Sequence, residues 1–160
     1  MKIAILFTYP KRPTIIARII CFAMRTPFDH VCLEIDNLIY GRAMVFQAAE
    51  TTVQLITYDK LLLNHNIISR HELIIDEKRF LKMISFLTNE LGNFYSFFGL
   101  LGMGLKSLLH CKNPFKDGKK TMFCSEYIGG ALIEGKLIEV DPEEVNPRDL
   151  FEVLNGKNEF

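Results

Sequence analysis

Between Met122 and Glu134 the chain sets a cysteine at the head of an apolar stretch that carries two adjacent glycines: Met-Phe-Cys-Ser-Glu-Tyr-Ile-Gly-Gly-Ala-Leu-Ile-Glu. Tyr127, Ile128, Ala131 and Leu132 recur at helical spacing, which predicts a helix over 121–134. Each glycine weakens a helix by about 1 kcal/mol relative to alanine. Gly129 and Gly130 make sense where that helix face presses hard on another backbone, as a helix laid on a sheet requires. Cys124 at the helix start meets the positive end of the dipole and unbonded N–H groups, which favour a thiolate and can hold an oxyanion. The plainer alternative is a buried, inert cysteine.

The rest of the pattern supplies the sheet. Residues 1–9 form a continuous apolar run closed by a proline loop, a buried strand. Pro13 precedes a predicted helix over 14–25, with Ile15, Ile16, Ile19, Ile20, Phe22 and Ala23 at helical spacing and Thr26-Pro27 as its stop. Strands are expected at 28–35, 38–40 with 43–47 after an Asp36-Asn37 turn, 53–56 and 67–75. Asp76 is a good N-cap for a helix through Phe80, Leu81, Met83, Ile84, Leu87 and Leu91, ending near Gly92. Residues 93–109 read as partly helical and 112–120 as a lysine-rich polar loop. The tail from Leu137 holds a short strand, a proline loop and a terminal helical turn at 149–154. The fold class is α+β, and 160 residues fit one domain, 1–160.

Composition narrows the function. Nineteen basic and nineteen acidic residues cancel, which argues against a dedicated nucleic-acid binder. With 49% hydrophobic residues the chain is too apolar to be disordered. The apolar start stops at Thr8-Tyr9-Pro10, too early for a secretory signal, and no stretch reaches membrane-spanning length, so the expected location is cytoplasmic. Residues 94–105 leave membrane contact as a minority reading. Cys21, Cys32, Cys111 and Cys124 form no CxxC pair and are expected as reduced thiols. A zinc site from His110, Cys111 and Cys124 lacks the usual ligand spacing, so no metal or other cofactor is expected.

A thiolate nucleophile needs a base, usually histidine. His30 is the best candidate because it opens a strand directly after the turn Pro27-Phe28-Asp29; its plainer reading is a satisfied core histidine. His65 and His71 look like surface residues. A third polar group must orient the ring. Gln47, in the next strand, can lie level with His30; Glu50 is the competitor, and Asp29 the fallback.

Phe-Asp-His-Val-Cys-Leu-Glu-Ile, then Val-Phe-Gln-Ala, then Leu-Gly-Asn-Phe-Tyr-Ser-Phe-Phe-Gly, then Phe-Cys-Ser-Glu-Tyr resembles, in this order, the circularly permuted NlpC-type papain-like cysteine hydrolases. That group includes the YiiX-like proteins and is akin to lecithin retinol acyltransferase. The resemblance spans about residues 1–150 in layout, with motifs over about 25 of them. It implies an antiparallel sheet packed against a nucleophile-bearing helix, Cys124 as nucleophile, His30 as general base, Gln47 where YiiX-like members place Glu, and Tyr95 lining the substrate cleft. Gln47 can orient an imidazole but cannot stabilise an imidazolium as a carboxylate does. The expected activity is a cysteine peptidase or amidase acting on a peptide, amide or ester through an acyl-enzyme. The alternatives are a lipid-directed thiol acyltransferase of the same fold and a catalytically inactive binding domain.

Two geometric expectations and one on titration follow. The Cys124 sulfur and a His30 ring nitrogen should lie within about 4 Å. The Gln47 amide oxygen should face His30 Nδ1, leaving Nε2 for the thiol proton. Cys124 should titrate modestly below the roughly 8.5 of a free thiol and be the most reactive of the four cysteines.

Overall fold

A computed structural model describes residues 1–36, 41–49, 51–95, 121–141 and 145–156. Five antiparallel strands dominate: β1 (Lys2–Pro10), β2 (His30–Ile35), β3 (Met44–Ala49), β4 (Thr52–Thr57) and β5 (His65–Ile74). Two short strands, β6 (Phe94–Tyr95) and β7 (Thr121–Met122), extend the sheet, giving the order β5-β1-β2-β3-β4-β6-β7. The helices among the described residues are α1 (Ile15–Met24), α2 (Tyr58–Asn64), α3 (Glu77–Asn89), α4 (Cys124–Glu134) and α5 (Pro147–Leu154). The class is α+β, with the sheet antiparallel except for the β6–β7 pair.

β1 is apolar from Ile3 to Phe7 because it is covered on both faces there. Successive strand residues point to opposite sides. Ile3, Ile5 and Phe7 join Val31, Leu33, Phe46 and Ala48 in the main core, against Tyr127, Ile128 and Ala131 of α4 and Met83 and Leu87 of α3. Ala4 and Leu6 join Cys32 and Val45 on the other side, under Ile56 and Leu61. At roughly 1.5–3 kcal/mol for each large side chain buried, the main core dominates the fold's stability. A third cluster, Ile20, Met24 and Phe123, ties α1 to the residue just before α4.

Local chemistry sets the helix limits. Thr14 Oγ1 accepts from the Ala17 N–H at 3.1 Å, and Asp76 Oδ1 from the Arg79 N–H at 2.9 Å, so both helices begin at a side-chain cap. Asn146 caps α5 through the N–H groups of Arg148 and Asp149. After α3, Gly92 takes φ 86°, a left-handed conformation that costs glycine nothing, and its N–H reaches the Val53 carbonyl at 2.9 Å.

Several expectations need correction. Residues 58–64, unassigned from sequence, form α2, opened by Asp59 and a Thr57 cap. Thr121 and Met122 are strand, not helix, so α4 starts at Cys124 itself. Among the described residues beyond Leu137 there is no strand. The paired glycines meet side chains, not a backbone: a Cβ on Gly130 would lie 2.6 Å from the Phe86 ring, and one on Gly129 3.0 Å from Val145. The expected strand at 38–40, most of the segment 93–109, the lysine-rich loop, Glu50, His110 and Cys111 lie outside the described residues.

Candidate active site

His30 opens β2, and Gln47 lies in β3, which pairs with β2 in antiparallel register. His30 shares a face with Cys32, and Gln47 shares that face with Val45, so both side chains leave the sheet on the α2 side. There His30 Nε2 donates to Gln47 Oε1 at 3.2 Å. An amide oxygen only accepts, so this contact places the proton on Nε2 and leaves Nδ1 as the basic nitrogen. The ring is thus oriented by Gln47 as expected, but through Nε2 and not Nδ1. Both residues are buried, at 7% and 5% exposure.

They line a cavity of about 360 Å³ together with Asp29, Gln54, Lys60 and His65, with Ala17 and Ile20 of α1 forming part of its wall. His65 is no surface residue, since its ring centroid lies 5.8 Å from that of His30. Burial, helped by the neighbouring His65, lowers His30 to about 4, so its imidazole is neutral at pH 7. Asp29 is the residue sequence reasoning weighed only as a fallback ring partner. Burial raises its carboxyl to about 6, and its Oδ1 has no hydrogen-bond partner among the described residues. Thr8 Oγ1, buried opposite His30 in the strand register, is likewise without one. The signal available was position: Asp29 sits between an apolar turn and the strand histidine.

Cys124 begins α4, whose N-cap, Phe123, offers no side-chain bond to the first turn; the Glu126 carboxylate turns back to accept from the Phe123 N–H at 3.4 Å. The helix is anchored by Ser125 Oγ, donating to the Val145 carbonyl at 2.8 Å, and by the Tyr127 hydroxyl, donating to the Leu87 carbonyl at 2.7 Å. The N–H groups of Val31, Ser125 and Cys124 itself lie close enough to the thiol to favour its charged form. The sulfur therefore lies beside the backbone that carries His30. The thiol itself is wholly buried, at 0% exposure, and is not part of the cavity wall.

Burial is also what decides its protonation. It pushes Cys124 up to about 12, with Asp29 adding to the rise, while the three N–H groups pull the other way and lose. The expected depression below a free thiol is overturned. Among the described residues no hydrogen bond joins Cys124 to His30, whose side-chain bond goes to Gln47. The structure thus brings His30 and Gln47 together and puts Cys124 against the adjoining peptide. Tyr95 lies in β6, paired with Met122 of β7; its side chain is outside the described residues.

Cys21, Cys32 and Cys124 are free thiols. Among the described residues no group of three or more His, Cys, Asp and Glu side chains is placed to hold a metal ion. No helix among them is long and apolar enough to cross a membrane. No protein-family model matches the chain, and no curated protein matches it either.

Proposed function

We propose that the chain is a thiol hydrolase of the circularly permuted, papain-like NlpC type, cleaving an amide or ester through an acyl-enzyme. One observation carries this reading. The thiol at the start of α4 lies near enough to the N–H of Val31 to feel it, and Val31 is the residue after His30, whose ring is held by Gln47.

In this reading Cys124 and His30 rest as a neutral pair. His30 Nδ1 takes the thiol proton as the sulfur attacks the carbonyl carbon, so no stable imidazolium is needed and Gln47 suffices in place of a carboxylate. N–H groups at the helix start hold the oxyanion. The tetrahedral adduct collapses to a thioester as His30 returns the proton to the leaving amine or alkoxide. Water, deprotonated by the same nitrogen, then releases the acid and restores the thiol. Substrate enters through the cavity beside His30, and Cys124, which belongs to the main core on the α4 side, has to come within reach of Nδ1 for the step to occur. If an amine takes the acyl group instead of water, the same steps describe an acyltransferase.

The closure of Cys124 and its high pKa favour a second reading, a binding domain that keeps the fold without the chemistry. Incubation with a panel of activated peptide amides and acyl esters, with mass-spectrometric mapping of adducts, separates the two. The hydrolase reading expects an acyl group on Cys124 that disappears in Cys124→Ser and forms at least 100-fold more slowly in His30→Ala. Absence of any His30-dependent adduct on Cys124 across the panel overturns it in favour of the binding domain.

A further inference from the structure

Helix α1 carries its apolar residues on the wrong side for a core helix. Ala17, Ile20, Ala23 and Met24 face inward, yet Ile15 is 77% exposed, Phe22 78% and Ile19 50%. At about 100° per residue, Phe22, Ile15 and Ile19 fall within roughly 60° of arc, a continuous greasy stripe, with Ile16 at its edge. Arg18 and Arg25 run along its flank, and Lys11 and Arg12 stand just before the helix; all four are exposed. Residues 1–28 contain no acidic side chain, although the whole chain balances nineteen basic against nineteen acidic residues. Four exposed basic side chains therefore stand around this one apolar stripe, with the acidic Asp29 close enough to Cys21 of the same helix to raise its thiol.

We infer that α1 is a peripheral docking helix for a bilayer surface rich in anionic phospholipid. An apolar stripe flanked by arginines sinks its Ile and Phe side chains to the acyl boundary while the guanidinium groups meet headgroup phosphates. Charge decides between this occupant and a second copy of the chain. A second copy would bring the same positive rim against this one, whereas an anionic bilayer complements the stripe and the rim together. Thr14 caps the helix and Ile20 and Met24 pack against Phe123, which leaves the stripe on the outward side. This inference does not depend on the chemistry at Cys124.

The test is co-sedimentation of the full chain with vesicles of phosphatidylcholine alone and of phosphatidylcholine mixed with phosphatidylglycerol. Binding is expected to the mixed vesicles, to weaken with added salt, and to be unchanged in Cys124→Ala. Arg18→Gln and Arg25→Asn should each lower partitioning about fivefold. Phe22→Glu should lower it roughly tenfold or more. These positions are exposed, and circular dichroism verifies that each variant folds. Absence of binding to the mixed vesicles, or binding indifferent to Phe22→Glu, overturns the inference. So does a concentration-dependent dimer in light scattering that Phe22→Glu abolishes, since a second copy would then own the face.

Discussion

His30 Nε2 and Gln47 Oε1 meet at 3.2 Å across two neighbouring strands, inside the sheet's α2-side cavity. The bond gives the ring one orientation and one tautomer, and it does so without supplying charge. Replacing Gln47 by Glu adds that charge. The imidazolium of His30, now lowered to about 4 by burial, should then be favoured, and its titration, followed by the ring proton resonances, should move up by at least one pH unit. Gln47→Leu should leave the titration low and let the ring reorient. An unmoved titration in Gln47→Glu would mean that the two side chains do not meet in solution.

Asp29 and His30 impose opposite pH dependences on stability. Asp29 titrates near 3.8 when unfolded and about 6 when folded, so its contribution is full below about 3.8 and lost as pH rises to about 6. His30 titrates near 6.5 when unfolded and about 4 when folded, so its contribution is full above about 6.5 and lost as pH falls to about 4. Asp29→Asn should therefore stabilise the protein at pH 7 by roughly 2 kcal/mol, after discounting for partial exposure, and change little at pH 3.5. Urea denaturation at both pH values reads this directly. An equal effect at both would show that the carboxylate's charge is not the cause.

Gly130 faces the Phe86 ring with no room for a methyl group. Alanine gains about 1 kcal/mol of helix propensity but must displace an aromatic ring that packs near Tyr127, so Gly130→Ala should destabilise by roughly 1–2 kcal/mol net. Phe86→Leu made in the same chain should recover part of that loss. Additive effects in the double-mutant cycle would rule out the contact as the reason for the glycine.

Glu34, 5% exposed on β2, is held by the two terminal guanidinium nitrogens, Nη1 and Nη2, of Arg70 from β5, across β1. Removing the cation strands a buried carboxylate, so Arg70→Met should cost roughly 2–3 kcal/mol, somewhat under the full value for a buried pair because Arg70 is partly exposed. Adding Glu34→Gln should restore most of it. Thermal unfolding of the single and double variants beside the parent chain would show whether the double variant is the more stable.

Legibility followed the range of the interactions involved. Helix starts at Asp76 and after Pro13, the buried strand β1 and the chain order of His30, Gln47 and Cys124 were readable because caps, runs and spacing act within a few residues. Helix α2 was missed: seven residues joined to a following strand leave too short a period to recognise. His65 is hidden from sequence for a different reason. Its place beside His30 comes from β5 pairing with β1, a contact between segments far apart in sequence.

The sequence by itself determined that a cysteine would head a helix, that a strand histidine would precede it and that a glutamine could reach that histidine. Only the tertiary structure decided the charge and access of those groups. Desolvation depends on what every other segment stacks around a side chain, and here that stacking seals Cys124, raises its thiol to about 12, lowers His30 and lifts Asp29. The same holds for α1: helical spacing marked Ile15, Ile19 and Phe22 as apolar, but their exposure was set by which face Phe123 and the cavity beside His30 had already claimed.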